Sequence, residues 1–388
     1  MKLLAGWKWV RLEELCDKIS LNNLKIKQKD YLAEGKYPVV DQGQDLIGGY
    51  YNDENLVIPN EPPYIVFGDH TKVKKFINFK FIAGADGVKV LKPKEIIDPW
   101  FLFYSLFIIK IEDKGYARHF QLLEKELFPL PEISEQHAIV AKIEELLSEL
   151  DKGKQQLETA QQQLKVYRQA LLKWAFEGKL TNKEVKDGEL PEGWIWVKLE
   201  EVSQSCLGKM LDKKKNTGTL KPYLRNINVR WNNFDLEDLF EMRFEESESD
   251  RFGILKGDLI ICEGGEPGRA AIWNEQFPNI KIQKALHRVR FKGKATAEFF
   301  LFYLNLISST KALDQYFTGT TIKHLTGQSL RKISFPFPSI DEQQQVVHEL
   351  ESRLSVCDKV EETITISLKQ AETLRQSILK KAFEGKLV

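Results

Sequence analysis

The sequence predicts an α+β fold: two mixed α/β domains separated by two long antiparallel coiled-coil helices, the second half repeating the first about a pseudo-twofold. Three observations predict it. Four short markers recur in the same order. The spacing between recurrences changes in one region only. Each copy closes on a long proline-free segment with a seven-residue apolar repeat.

The first marker, Gly6-Trp7-Lys8-Trp9-Val10, returns as Gly193-Trp194-Ile195-Trp196-Val197, an offset of 187 residues. Phe101-Leu102-Phe103-Tyr104 returns 199 residues later at Phe300-Leu301-Phe302-Tyr303. Phe128-Pro129-Leu130-Pro131 with Glu135-Gln136 returns as Phe335-Pro336-Phe337-Pro338 with Glu342-Gln343, and Ala175-Phe176-Glu177-Gly178-Lys179-Leu180 returns as Ala382-Phe383-Glu384-Gly385-Lys386-Leu387; both offsets are 207. Copy two therefore carries 20 extra residues in its middle, while the stretch from Phe-Pro to the end keeps its length. The predicted boundaries are a first domain at 1–132, a first long helix at 133–180, a linker at 181–192, a second domain at 193–338 and a second long helix at 339–388.

Within the domains, Tyr64-Ile65-Val66-Phe67 and Leu259-Ile260-Ile261-Cys262 are short apolar runs of buried-strand type. Each is followed by a loop with glycine and then a second apolar run. Asp98-Pro99-Trp100-Phe101 and Ala297-Glu298-Phe299-Phe300 each begin an apolar helix. Residues 181–192 have no apolar periodicity and include Gly188 and Pro191, as a linker does.

In the first long helix, Ile143, Leu150, Leu157, Leu164 and Leu171 take one seam position, and Ile139, Leu146, Ala160, Tyr167 and Trp174 the other, interrupted by Gly153. In the second, Leu350, Cys357, Ile364, Ala371 and Ile378 form one seam and Val346, Val360 and Leu374 the other. Ser134 and Asp341 are the expected N-caps, with Gly178 and Gly385 past the ends. At about 1.5 Å per residue each helix spans roughly 65 Å, and its exposed seam calls for a partner, most simply the other helix. The alternative is two amphipathic helices, each lying on its own domain.

Composition narrows the function. Among 388 residues, 57 are Lys or Arg and 56 are Asp or Glu, a net charge of +1, so any attraction to nucleic acid must come from local clusters. The four cysteines, Cys16, Cys206, Cys262 and Cys357, are scattered without a CxxC pair. That spacing argues against a zinc site or a disulfide framework and suits a reducing cytoplasm. The start MKLLAGWKWVRLEEL is too charged for a signal peptide, and no run of about 18 apolar residues exists to cross a membrane.

The ordered markers, the paired long helices and the loops Ile65-Val66-Phe67-Gly68-Asp69-His70-Thr71 and Ile261-Cys262-Glu263-Gly264-Gly265-Glu266-Pro267-Gly268-Arg269 give the whole chain a resemblance to the specificity (S) subunit of type I restriction–modification enzymes. The resemblance implies that each domain is a target-recognition domain reading one half of a split duplex DNA sequence. It implies that the helices hold the domains apart and dock methyltransferase (M) subunits, two of them, with restriction (R) subunits joining through the M–S complex. It implies no cofactor on this chain and no catalysis, since S-adenosylmethionine, ATP and Mg2+ would belong to partner subunits. Two heads on a rod of fixed length independently suit half-sites about one helical turn, ~34 Å, apart.

Candidate DNA contacts follow from residue chemistry. In Arg225-Asn226-Ile227-Asn228-Val229-Arg230-Trp231, strand alternation would put Asn226, Asn228 and Arg230 on one polar face. Asparagine pairs bidentately with adenine and arginine with guanine. An ordinary solvated strand face is the competing reading. Lys213 and Lys214 are candidates for phosphate contact, or a plain solvated charge run. In copy one, Asp69, His70, Thr71, Lys72 and Lys74 sit at a loop tip that is either a DNA contact or a structural turn. Arg269 takes the equivalent place in copy two, and Lys284, His287 and Arg288 form a further basic cluster. Arg118 with His119 and Lys323 with His324 follow glycines near each domain's end. The Gly264–Gly268 loop lacks the Gly-Lys-Ser/Thr ending of a nucleotide-binding loop. Asn60-Glu61-Pro62-Pro63-Tyr64 looks like an adenine methyltransferase motif, but Glu61 stands in the polar slot before the prolines and the glycine-rich cofactor turn is missing. The acid pairs Glu13-Glu14 and Glu200-Glu201 fit helix starts better than a catalytic pair. Besides a DNA-recognition subunit, two other classes remain at this level: a coiled-coil scaffold with two protein-binding domains, and a self-sufficient methyltransferase or nuclease.

Overall fold

The computed structural model describes residues 6–387 apart from 86, 113–114, 116–117, 183, 187, 213 and 275–276. The chain forms two units, Met1–Glu158 with Ile364–Val388, and Thr159–Thr363. The unit boundary cuts both long helices, so each unit owns the start of one and the end of the other.

The first unit opens with β1 (Lys8–Arg11), the single-turn α1 (Leu12–Leu15), β2 (Cys16–Ile19) and β3 (Lys25–Ile26). Then come β4 (Tyr37–Val40), β5 (Gly49–Tyr51), β6 (Tyr64–Gly68), β7 (Lys74–Ile77), β8 (Ile82–Gly84) and β9 (Val88–Pro93). They are followed by α2 (Pro99–Ile108), α3 (Phe120–Leu123), β10 (Leu127–Leu130) and the start of α4 (Ile133–Phe176). The second unit runs through β11 (Ile195–Lys198), α5 (Leu199–Val202), β12 (Ser203–Leu207), β13 (Thr219–Leu224), β14 (Val229–Arg230), β15 (Asn233–Phe234) and β16 (Phe240–Phe244). It continues with α6 (Ser249–Phe252), β17 (Leu259–Cys262), β18 (Ala270–Ile272), β19 (Lys281–Ile282) and β20 (Leu286–Phe291). It closes with α7 (Ala297–Ser309), α8 (Gly327–Arg331), β21 (Ser334–Phe337) and the start of α9 (Ile340–Phe383).

The repeat is structural as well as sequential. An antiparallel four-stranded sheet ordered β2-β9-β6-β7 in the first unit matches β12-β20-β17-β18 in the second. The central strands β6 and β17 read as unbroken apolar runs because both faces are covered: Ile65 and Phe67 enter one core and Tyr64 and Val66 another, as do Leu259 and Ile261 against Ile260 and Cys262. Of the second sheet, β3-β8-β4-β5, the parallel β4/β8 and antiparallel β4/β5 pairs return as β13/β19 and β13/β16. The β14–β15 hairpin belongs to copy two and has no counterpart among the described residues of copy one.

The Phe-Pro and Glu-Gln markers form one device. The Phe-Pro strand pairs antiparallel with the Trp-x-Trp strand, β1 with β10 and β11 with β21. Just beyond, Gln136 is fully buried: its Oε1 accepts from Asp98 N–H at 2.7 Å and its Nε2 donates to the Pro131 and Ile96 carbonyls. Gln343 does the same with Thr296 N–H, Pro338 and Lys294. One amide thus ties the long helix to the N-cap of the apolar helix, where Asp98 or Thr296 accepts from the N–H of Phe101 or Phe299.

The closing marker is a helix stop. Gly178 and Gly385 adopt left-handed φ of 75° and 65°. Their N–H groups donate to Ala175 and Ala382, and the next residue, Lys179 or Lys386, donates back to Trp174 or Lys381. The phenylalanine of the marker anchors the helix end to the apolar helix of its unit. Phe176 lies 5.0 Å from Phe299, and Phe383 lies 4.9 Å from Phe101. At the helix starts the expected caps move: α4 begins at Ile133 and α9 at Ile340, directly after the proline markers. Ser339, not Asp341, accepts from the Glu342 N–H, and Ser134 lies inside the first turn.

The helices pack antiparallel within each unit, with Asp151 on Arg375 and Lys154 on Glu372 in the first, and Arg168 on Asp358 and Glu361 in the second. The first predicted seam holds: Ile143, Leu171, Leu350, Ile364 and Ile378 are buried, and Leu150, Leu157 and Leu164 half-buried. The second holds in part: Ile139 and Val346 are buried and Leu146 and Ala160 half-buried, but the rest is corrected. Tyr167, Trp174, Val360 and Leu374 are 41–49% exposed. The inward positions are Leu147, Lys154, Gln161, Arg168 and Ala175 on α4, and Leu354, Glu361, Leu368, Arg375 and Ala382 on α9. From a buried residue either i+3 or i+4 can complete the stripe. Here i+4 does, and its polar members make ion pairs along the contact.

Candidate nucleic-acid interface

In the first unit the candidate site is the turn beyond β6. Asp69 is buried, and its carboxylate accepts from Phe120 N–H at 2.8 Å and pairs with Lys89 at 3.5 Å. Its carbonyl accepts from His119 N–H at 2.9 Å and meets the buried His119 Nδ1 at 3.0 Å. Both residues, predicted as surface contacts, are therefore in the scaffold: they fasten the turn to α3. The tip itself is His70, Thr71 and Lys72, with Lys72 at a left-handed φ of 58°. It rests on Gln42, whose side chain accepts from His70 N–H and whose carbonyl accepts from Thr71 Oγ1 at 2.7 Å. Lys74 lies 4.7 Å from the Phe107 ring centre; burial, then the Lys72 charge, push its amine below the usual lysine range. Arg118 is exposed beside His119.

In the second unit the equivalent turn is fastened the same way. The Glu263 carbonyl accepts from Leu325 N–H at 2.8 Å, just before α8. The six-residue loop from Glu263 to Gly268 is closed by Gly268 N–H on the Cys262 carbonyl and Cys262 N–H on the Arg269 carbonyl. Gly268, at φ 93°, has no room for a side chain, since a Cβ there would stand 2.3 Å from Leu313. Three predicted residues gather here. Asn226 donates to the Gly264 carbonyl, His324 packs over Gly264, and Arg269 donates to the Asn226 carbonyl at 2.8 Å. Arg269 also pairs with Glu266 at 2.7 Å, which commits its guanidinium to the loop.

The predicted polar strand face is not formed. Asn226–Asn228 is a 3-10 turn, and only Val229–Arg230 is strand. Asn228 is buried; its Oδ1 accepts from Arg225 N–H and its Nδ2 donates to the Asp235 and Asp238 carbonyls. Arg230 is exposed and pairs with Asp235 at 3.3 Å. Two further residues are corrected to scaffold. His287 is buried with Nε2 2.8 Å from the Leu325 carbonyl, and burial pushes its pKa down. Arg288 is buried and donates to the Asp250 and Gly253 carbonyls. Lys284 is exposed, and Lys323 pairs with Asp314 at 2.7 Å. Lys214 is exposed beside Asp212, and Lys213 lies outside the described residues.

Among the described residues no group of three or more His, Cys, Asp or Glu is placed to hold a metal ion, and no helix is long and apolar enough to cross a membrane. Burial lifts the Cys16 thiol to about 12 and Cys262 to about 11, which leaves both protonated and poorly nucleophilic at neutral pH. Sequence reasoning missed Gln42 and Glu266, since their importance comes from loops that meet only in the fold.

The EcoBI specificity subunit of Escherichia coli, from a type I restriction enzyme, is 29% identical over 282 residues, covering 68% of this chain and 59% of that protein. The chain thus matches about three fifths of the EcoBI subunit's length. The EcoDI specificity subunit, also of Escherichia coli, is 26% identical over an alignment that covers 100% of this chain and 90% of the relative. Among solved structures, the HsdS subunit from Thermoanaerobacter tengcongensis aligns with a TM-score of 0.62 at 21% identity, over 100% of this chain and 99% of that one. A chain from a study of complex assembly and conformational transition of the type I R-M system aligns with a TM-score of 0.72 at 19% identity over 100% of both chains. At such identities these likenesses establish the fold. A family model for the type I restriction modification DNA specificity domain matches residues 5–160 and again 191–370. Twice matched and built twice on one plan, the chain belongs to the type I restriction modification DNA specificity family.

Proposed function

We propose that this chain is the non-catalytic specificity subunit of a type I restriction–modification complex. Each unit reads one half of a bipartite duplex DNA target, and the long helices set the spacing and dock methyltransferase subunits, two per chain, through which restriction subunits join. Methyl transfer from S-adenosylmethionine and ATP- and Mg2+-dependent cleavage are the work of those partners. The observation that carries the reading is the repeated turn beyond the central strand. In each unit the base of a loop, Asp69 or Glu263, is held by a backbone bond from the segment preceding α3 or α8, and the unit is seated on two helices of 44 residues each. Rigid loops on a fixed scaffold suit recognition, because little ordering is left to be done on binding.

The test is an exchange of residues 15–127 for the corresponding segment of another specificity subunit, followed by sequencing of methylated adenines in cells that also carry the M partner. One half of a split motif should change and the other stay. A change in both halves, or methylation with no split motif, overturns the reading.

A further inference from the structure

We infer that Glu266 is a specificity-determining residue of the second unit, and that its carboxylate accepts a hydrogen bond from the exocyclic amino group of a cytosine in the major groove. This rests on the reading of the chain as a DNA-specificity subunit.

Glu266 is, with Gly265, an exposed residue of the locked loop and keeps 56% of its side chain exposed. Two groups fix it from behind: Trp231 Nε1–H donates to Oε1 at 3.2 Å, and Arg269 Nη1–H donates to Oε2 at 2.7 Å. Neither partner is free to swing. Arg269 is itself held by the Asn226 carbonyl, and Trp231 packs against the core of the unit. Each carboxylate oxygen thus has one lone-pair direction used by the scaffold and another open to solvent.

A bare carboxylate facing DNA would be repelled by the phosphates. The guanidinium 2.7 Å away offsets that charge, so the loop can approach while presenting acceptors only. Gly264 and Gly265 let the loop pack against its own unit, which keeps Glu266 in place. A side chain at Gly265 would stand 2.6 Å from Asn226 Nδ2, and one at Gly264 3.1 Å from the His324 ring. In the major groove the cytosine N4 amino group is the donor that suits a glutamate; guanine and thymine offer acceptors there, and adenine sets an acceptor beside its donor. The corresponding tip in the first unit, Thr71-Lys72, carries a lysine where this one carries an arginine-paired carboxylate, so the two heads present different chemistry to their half-sites.

The experiment selects duplexes from a randomised library with the assembled M–S complex, wild type against Glu266→Gln and Trp231→Phe. Glutamine keeps the shape but turns one acceptor into a donor. The expected result for Glu266→Gln is a loss of about tenfold in preference for C·G at one position of the second unit's half-site, with all other positions unchanged. Trp231→Phe, which removes only one of the two groups that hold the carboxylate, should relax the same position about threefold and serves if Glu266→Gln fails to assemble. Unchanged preference at every position, or a uniform fall in binding without a change in preference, overturns the assignment. Selection of no split sequence by the wild-type complex overturns the parent reading and this inference with it, and is visible before any variant is compared.

Discussion

His287 shows how a residue that looks like a surface contact becomes part of the scaffold once its surroundings are known. Its ring is buried, and Nε2, carrying the proton, donates to the Leu325 carbonyl at 2.8 Å in the segment that also fastens the Glu263 turn. Burial, with Arg331 adding repulsion, lowers its pKa from 6.5. In the unfolded chain a histidine takes up its proton near pH 6.5, whereas the folded one resists until the pH is lower. Below about pH 6.5 the unfolded state therefore binds more protons, and stability falls with falling pH until the folded pKa is passed. Glutamine at 287 can donate to the same carbonyl but does not titrate. His287→Gln should therefore lose less melting temperature than wild type between about pH 7.5 and 5.5, measured by thermal scans in parallel; equal slopes would refute the assignment.

At the scale of the long helices, the same apolar residue type has two fates. Ile364 is 5% exposed in the contact between α9 and α4, and Leu374 is 49% exposed although the heptad places both in a seam. Truncating a buried isoleucine costs the lost burial plus a cavity, about 2–4 kcal/mol, whereas an exposed leucine is worth within about 0.5 kcal/mol. Ile364→Ala should thus lower the denaturation midpoint clearly and Leu374→Ala hardly at all, as urea unfolding followed by circular dichroism would show. The reverse order would restore the seam read from the sequence. That contrast also marks the limit of the sequence as a guide. The first seam, the Trp-x-Trp strand, the Gly178 and Gly385 stops and the unbroken apolar runs of β6 and β17 are legible because a local pattern fixes each. The second seam is legible only near the helix starts, at Ile139 and Val346, because further along Lys154, Arg168, Glu361 and Arg375 occupy inward positions where their charges are paired across the contact. Nor is the 3-10 turn at Asn226–Asn228 legible, because the Asn228 side chain accepts from Arg225 N–H and closes a turn where the alternation reads as strand. In the candidate site, Asn226, Arg269 and His324 stand out by residue type, while the places of Gln42 and Glu266 depend on His70 and Trp231, 28 and 35 residues away in sequence.

For the molecule as a whole, the repeat has a consequence for connectivity. Leu180, just past the end of α4, packs against the core that contains Trp194, the start of copy two. Leu387, just past the end of α9, packs against the core that contains Trp7, the start of copy one. The Ala-Phe-Glu-Gly-Lys-Leu segment therefore does the same thing twice, seating a helix end beside a Trp-x-Trp strand, and residues 181–192 lead on from the first of the two places. Joining Leu387 to Gly6 through the twelve residues of 181–192, and opening the chain within that segment at its original position, exchanges one link for an equivalent one. Such a circular permutant should show helical content and a melting temperature within a few degrees of the parent, and should direct methylation to the same split sequence when combined with the M partner. Loss of folding would mean that the link at 181–192 does more than span a gap, and the natural place to look would be Thr181 and Asn182, which both donate to Glu342 near the start of α9. In copy one the matching carboxylate, Glu135, is held instead by the Trp7 indole N–H at 2.9 Å. Keeping residues 181 and 182 attached to α4 and cutting after them preserves the Glu342 contacts, so the permutant opened between 184 and 186 is the one expected to fold.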